Sequence, residues 1–90
     1  MKIGHTVMTR GIANKAADNV PFAKDLSHSL ALYLQKNWGD ISENDKEMND
    51  LNVKSDVGSL MGAYETCEGR IWIMTEHDRS VTTILFPHEY

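Results

Sequence analysis

The period of apolar positions changes several times along the chain, and the changes divide it into elements. Near the end, Arg70-Ile71-Trp72-Ile73-Met74-Thr75-Glu76 and Val81-Thr82-Thr83-Ile84-Leu85-Phe86 flank a polar break, His77-Asp78-Arg79-Ser80. Both runs are rich in β-branched and aromatic residues and bounded by turn-forming ones, which predicts one β-hairpin. Upstream, Gly58 to Glu65 predicts another strand, whose glycines allow a bulge or close backbone approach. Thr66-Cys67-Glu68-Gly69 predicts the turn that joins it to the hairpin. His5-Thr6-Val7-Met8-Thr9, followed by Arg10-Gly11, predicts a short first strand.

Helical spacing appears between these strands. Phe22, Leu26, Leu30, Tyr33 and Leu34 recur on one face, Pro21 suits a first helical turn, and Asn19 is available as a cap. A core helix over about Pro21 to Lys36 follows, ended by Asn37-Trp38-Gly39-Asp40. Ile12 to Asn19 is polar and weakly periodic, enough for a short helical turn. Ser42-Glu43-Asn44-Asp45 resembles a capping box, so a second helix should run to about Lys54. Its apolar residues are few, Met48, Leu51 and Val53, which predicts a surface helix with one narrow buried edge. The Ser and Asn residues between Ser42 and Asn52 weaken its intrinsic propensity.

The expected fold is therefore α+β: a single domain over residues 1–90, two helices packed on one face of a three- or four-stranded antiparallel sheet, with a C-terminal β-meander. Side chains alternate along a strand. With Tyr64 opposite Ile71 and Ile73 opposite Ile84, one face carries Tyr64, Ile71, Ile73, Ile84 and Phe86. The other carries Met61, Trp72, Met74, Thr83 and Leu85. Two helices cover one face only, so the second needs a cover. Large bare apolar patches mark interaction surfaces, and Met61, Trp72, Met74 and Leu85 are the candidate partner-binding residues. Met1-Lys2-Ile3, Trp38 or the terminal Pro87-His88-Glu89-Tyr90 could instead fold over them.

Composition narrows the classes. Apolar residues make up 41% and charged residues 24% of 90 residues, which suits one small globular core and not a disordered chain. No apolar run reaches the roughly 20 residues of a membrane span, and the first residues lack the apolar stretch of a secretory signal, so a cytoplasmic location is the default expectation. The one cysteine, Cys67, can form neither an internal disulfide nor alone a zinc site, and its acidic neighbour Glu68 does not favour a thiolate.

Charge placement adds a second candidate. Asp40, Glu43, Asp45, Glu47, Asp50 and Asp56 stand against only Lys46 and Lys54 in one segment, which accounts for the whole net charge of −4. Basic residues are scattered elsewhere, which disfavours direct nucleic-acid binding. Carboxylates on the solvent side of a helix, Glu43, Glu47 and Asp50, could imitate a nucleic-acid backbone and occupy a basic groove. The simpler reading is a solvated helix face whose first-turn acids favour the helix dipole.

Glu76, His77, Asp78 and Arg79 crowd ionisable groups into one turn and form the alternative polar site. Turns also gather such residues for structural reasons, with Asp78 accepting from turn amides and Glu76 pairing with Arg79 across the strand ends. His5, His28, His77 and His88 form no local metal-ligand spacing, and phosphate loops, GxSxG elbows and HExxH motifs are absent, so neither a metal nor a cofactor is expected.

The run Ile71-Trp72-Ile73-Met74-Thr75-Glu76-His77-Asp78-Arg79-Ser80-Val81-Thr82-Thr83-Ile84-Leu85-Phe86-Pro87-His88-Glu89-Tyr90, with Val7-Met8-Thr9-Arg10-Gly11 and Trp38-Gly39-Asp40, resembles a family of small bacterial proteins of plasmids, phages and other mobile elements. The resemblance implies a setting and brings no activity or catalytic residues. It suggests a non-enzymatic binding protein that engages or inhibits a host or defence-system protein through the apolar sheet face, the acidic helix, or both. A small enzyme or toxin using the Glu76–Arg79 turn, and a homodimeric accessory protein, are the alternatives.

Overall fold

Side-chain caps divide the first half of the chain. In a computed structural model describing residues Met1–Tyr90, strand β1 (His5–Met8) leads into α1 (Arg10–Asp18), whose cap Thr9 accepts from the Ile12 amide at 3.4 Å. Helix α2 (Val20–Leu34) follows after a single extended residue. That residue, Asn19, ends α1 and caps α2 by accepting from the Phe22 amide at 3.1 Å. Helix α3 (Glu43–Ser55) starts from Ser42, which accepts from the Asp45 amide at 3.1 Å. The chain thus has three helices where two were expected. Only Ile12 of α1 is buried, so no apolar period announced a full helix there.

Strands β2 (Leu60–Thr66), β3 (Gly69–Thr75) and β4 (Val81–Leu85) form the expected antiparallel meander, followed by a 3-10 turn at Pro87–Glu89. The register also agrees: Tyr64 faces Ile71 and Ile73 faces Ile84. The sheet order is β1-β4-β3-β2, and β1 runs parallel to β4, so the sheet is mostly rather than wholly antiparallel. Strand direction leaves no trace in the residue pattern of a four-residue strand.

The helices cover the face that carries Tyr64, Ile71, Ile73, Ile84 and Phe86. Ile12, Phe22, Leu26, Tyr33 and Trp38 pack on Leu60, Tyr64, Ile71, Ile73 and Ile84, and Phe86 stacks on Phe22 with ring centroids 5.8 Å apart. Ile3 joins the same side. Within this layer the Tyr33 hydroxyl lies 2.6 Å from Thr75 Oγ1, which lies 2.7 Å from Thr82 Oγ1, which donates to the Ile3 carbonyl at 2.6 Å. Each hydroxyl has one proton to give. The fixed end of the chain therefore orders the donors as Tyr33 to Thr75 to Thr82 to Ile3. Burial pushes the Tyr33 phenol up to about 12, keeping that proton in place.

Helix α3 lies at the surface as expected and Val53 packs against the core, but the rest of its inner edge differs. Met48 and Leu51 are exposed, and the buried residue on its inner side is Asn49. The Asn49 side chain donates to the Met61 carbonyl at 2.7 Å and accepts from the Met61 amide at 3.3 Å. The outer edge of β2 thus meets a polar side chain in place of an apolar helix stripe.

Arg79 is also displaced from its expected role. It does not pair with Glu76 but turns inward, 7% exposed, and its guanidinium donates to the carbonyls of Gly58, Lys2, Asn52 and Val57 at 2.7–3.4 Å. A fork of several donors suits convergent carbonyls as an ammonium cannot. The turn is thereby fastened to the N-terminal segment and to the end of α3. Arg79→Ala is expected to lower stability by about 2–4 kcal/mol, because four carbonyls lose charge-assisted bonds from a buried guanidinium, and Arg79→Lys should restore less than half of this. Urea unfolding measures both; a loss under about 1 kcal/mol in Arg79→Ala would contradict the clamp.

Candidate functional site

The candidate site is the sheet face away from the helices. Strand pairing places its residues in rows. Val7, Thr83, Met74 and Met61 lie side by side across all four strands, and Leu85, Trp72 and Ala63 form the next row. Four of the sequence candidates, Met61, Trp72, Met74 and Leu85, are therefore brought to one face. They are not equally available. Met61, Trp72 and Met74 are half-buried, whereas Leu85 is 5% exposed beside Glu89 and Tyr90.

Part of the cover comes from the chain itself. Tyr90 meets Trp72 edge to face, with ring centroids 5.7 Å apart, while remaining 82% exposed. Trp38 takes no part: it is buried on the helix side against Tyr33 and donates from Nε1 to Asp50 at 2.9 Å. Between the terminal turn and the β3–β4 end lies a depression of about 520 Å³, lined by Met74, Thr83 and Leu85 at its floor and by Thr9, Glu76, His77, Glu89 and Tyr90. Glu89 and Tyr90 belong to the terminal segment expected as one possible cover of this face, whereas Val7 and Thr9 were not expected at it. The parallel docking of β1 brings Val7 and Thr9 in, and the 3-10 turn that starts at Pro87, a residue suited to a helical first turn, carries Glu89 and Tyr90.

Glu89 fixes that wall. Its carboxylate accepts from the Thr9 hydroxyl at 2.6 Å, the Phe86 amide at 2.9 Å and the Gly11 amide at 3.2 Å. It thus ties the terminal turn to the start of α1, where a negative charge is favoured. The Thr9 hydroxyl, then the Phe86 amide, hold its carboxyl below the ordinary glutamate value.

The acidic helix is divided by the fold. Asp50 is engaged by Trp38, and Glu43 pairs with Lys46 at 3.5 Å. Glu47 is exposed and makes no ion pair. Near the open face, Arg70 is held between Glu65, at 2.8 Å from Nε, and Asp40. A crevice of about 190 Å³ separates α3 from β2, with Asp45, Met48 and Met61 on its walls, so the acidic surface adjoins the open face at Met61.

The polar turn does not assemble as a group. Glu76, His77 and Asp78 are exposed, while Arg79 points into the protein. Asp78 accepts from the Ser80 hydroxyl at 2.6 Å and amide at 3.0 Å, and these bonds hold its carboxyl low. No three His, Cys, Asp or Glu side chains are placed to hold a metal ion. Desolvation in its turn, then Asp25, push the Cys67 thiol above its ordinary value, which disfavours a nucleophilic thiolate. No helix is long and apolar enough to cross a membrane.

A carboxyl held low in the folded state adds stability that is present above its unfolded value and lost as pH falls through its folded one. Glu89 and Asp78 are both of this kind. Chemical denaturation across the acidic range should show the protein weakening as pH drops past 4.5, the ordinary value for Glu89. Glu89→Gln should be less stable than wild type at neutral pH and lose less on acidification. Parallel curves for the two proteins would contradict the tie. In comparisons with protein-family models, curated proteins and solved structures, the chain matches none.

Proposed function

We propose that the protein is a non-enzymatic binding protein of a mobile genetic element, one that engages or inhibits a host or defence-system protein through the open sheet face. The observation that carries this reading is the position of Met61, Trp72 and Met74. They sit half-exposed in adjoining rows on the one sheet face that no helix covers. A rigid sheet backed by a packed core presents such side chains already ordered, which lowers the entropy cost of association. Trp and Met are also residue types enriched in interface centres. The setting on a mobile element rests on the resemblance carried by the run Ile71 to Tyr90 with Val7 to Gly11 and Trp38 to Asp40.

The acidic surface gives the partner a chemistry. Asp45 of α3 lies on the crevice beside Met61 at the β2 side of the open face, and Glu47, exposed on the same helix, adds to that helix's negative charge, so the complementary surface is apolar at its centre and basic at that rim. Rim charges act mainly on encounter rate and salt dependence, and central aromatic contacts on the lifetime of the complex. The sheet face and the helix then work on one partner together.

Catalysis by the Glu76–Arg79 turn has one observation in its favour, that Glu76 and His77 open onto the 520 Å³ depression. The inward direction of Arg79 removes one of its four groups.

The test is affinity capture from bacterial lysate with the wild-type protein, Trp72→Arg, Glu47→Lys and His77→Ala, each verified as folded by circular dichroism. A retained protein should be weakened about ten-fold or more by Trp72→Arg, the size expected of a central tryptophan. It should be weakened by Glu47→Lys at low salt only and be indifferent to His77→Ala. A partner held equally by wild type and Trp72→Arg would contradict docking on this face.

A further inference from the structure

The two edges of the sheet are finished differently, and the difference points to a second interaction surface. The outer edge of β2 is closed from Ser59 to Ala63. The Asn52 side chain donates to the Ser59 carbonyl at 2.8 Å, and Asn49 occupies both polar groups of Met61. Ala63 then exchanges backbone bonds with Trp38 and Asp40 at 3.1 and 2.8 Å. Natural sheets shield such edges because bare ones recruit further strands.

The opposite edge, β1, has no such cover. The bonds from the His5 amide to Ser80 and from the Thr9 amide to Ile84 fix its parity: His5, Val7 and Thr9 face β4, so the amides and carbonyls of Thr6 and Met8 face outward. All four residues of the strand are exposed, with Val7 at 43% and Met8 at 49%. Along its helix side runs an uncharged groove of about 330 Å³, lined by Thr6, Met8, Leu26, Leu30 and Ile84 among others. No proline, bulge or charged side chain guards β1 itself.

We propose that β1 is a self-association edge, and that a second copy of this chain pairs with it antiparallel about a two-fold axis through Val7. The strand is complementary to itself in this register. Thr6 lies opposite Met8 of the second copy, each pair exchanging both of its outward backbone bonds, while Val7 meets Val7 at the close, non-hydrogen-bonded position. His5 lies opposite Thr9 of the second copy, so no like charges are brought together along the strand. Met8 sits beside Thr6 of the second copy, at the mouth of that copy's groove. The two meanders then join into one continuous sheet, and the row Val7, Thr83, Met74 and Met61 of the open face continues across the axis into its mate. Pairing along four residues is short, which sets the association in the weak range. The proposal stands apart from the identity of any partner of the open face, because β1 pairs through its edge and leaves Trp72 free.

Sedimentation equilibrium between about 1 µM and about 1 mM, the span of weak association, tests it. The wild type should pass from monomer to dimer within that range. Thr6→Pro, which removes an outward amide without touching the β4 ladder, and Met8→Lys, which places a charge at the groove, should each weaken the dimer about ten-fold or more. In a Cys67→Ser background, Val7→Cys should form a covalent dimer on mild oxidation. His5→Cys, displaced along the strand from its mate, should not. A monomer throughout, a dimer that survives both edge variants, or a dimer lost instead through Trp72→Arg would overturn the proposal. If the edge variants do not fold, the contrast between Val7→Cys and His5→Cys decides it: crosslinking at Val7 alone supports the register, and equal crosslinking or none overturns it.

Discussion

The pairing of β3 with β4, Ile73 on Ile84 and Thr75 on Thr82, is the constraint from which the other features follow. A slip of one residue would send every side chain of a strand to the opposite face. In the register observed, Ile71, Ile73 and Ile84 meet the helices, and Thr75 and Thr82 complete the hydroxyl chain from Tyr33. Trp72 and Met74 are left on the other side. Two features lock this register. The hydroxyl chain is satisfied only when Thr75 and Thr82 are opposite each other, and Arg79 binds four carbonyls only when the connecting turn is placed over the end of α3.

The same alternation gives the protein its division of labour. One face holds the ten-residue core and accounts for most of the burial. The other is packed only in part, where Leu85 and Ala63 are buried and Tyr90 meets Trp72, and it leaves Met61 and Met74 half-exposed. Gly39 shows how closely the structural side is fitted. Its φ of +76° lies in the left-handed region, and an added Cβ would stand 2.0 Å from the Ala63 carbonyl. The Trp38–Asp40 segment can bridge to β2 only through a glycine.

The meander, its register and its two faces were legible in the sequence because period-two apolar runs and turn residues report local geometry directly. The α2 boundaries and the Ser42 cap were legible for the same reason. Helix α1 was not, because Ile12 alone reaches the core and the remaining residues are small or polar. The parallel sense of β1 was not, since four residues say nothing of direction. Polar residues with inward roles misled most. Asn49 and Arg79 read as surface and turn residues, and what draws them inward, the backbone groups of Met61, Gly58 and Asn52, is assembled only by the fold. Of the candidate site, Met61, Trp72 and Met74 were placed together as expected. Asp50 turned out to serve Trp38, and Leu85 to lie beneath the terminal turn.

The most direct measurement is solvent paramagnetic relaxation enhancement of methyl resonances by NMR with an inert soluble probe. The methyl groups of Met61 and Met74 should broaden strongly, and those of Ile71, Ile73 and Ile84 should remain sharp. Comparable protection of both sets, or broadening of the isoleucines in place of the methionines, would contradict the division of the sheet into a face packed by the helices and an open face.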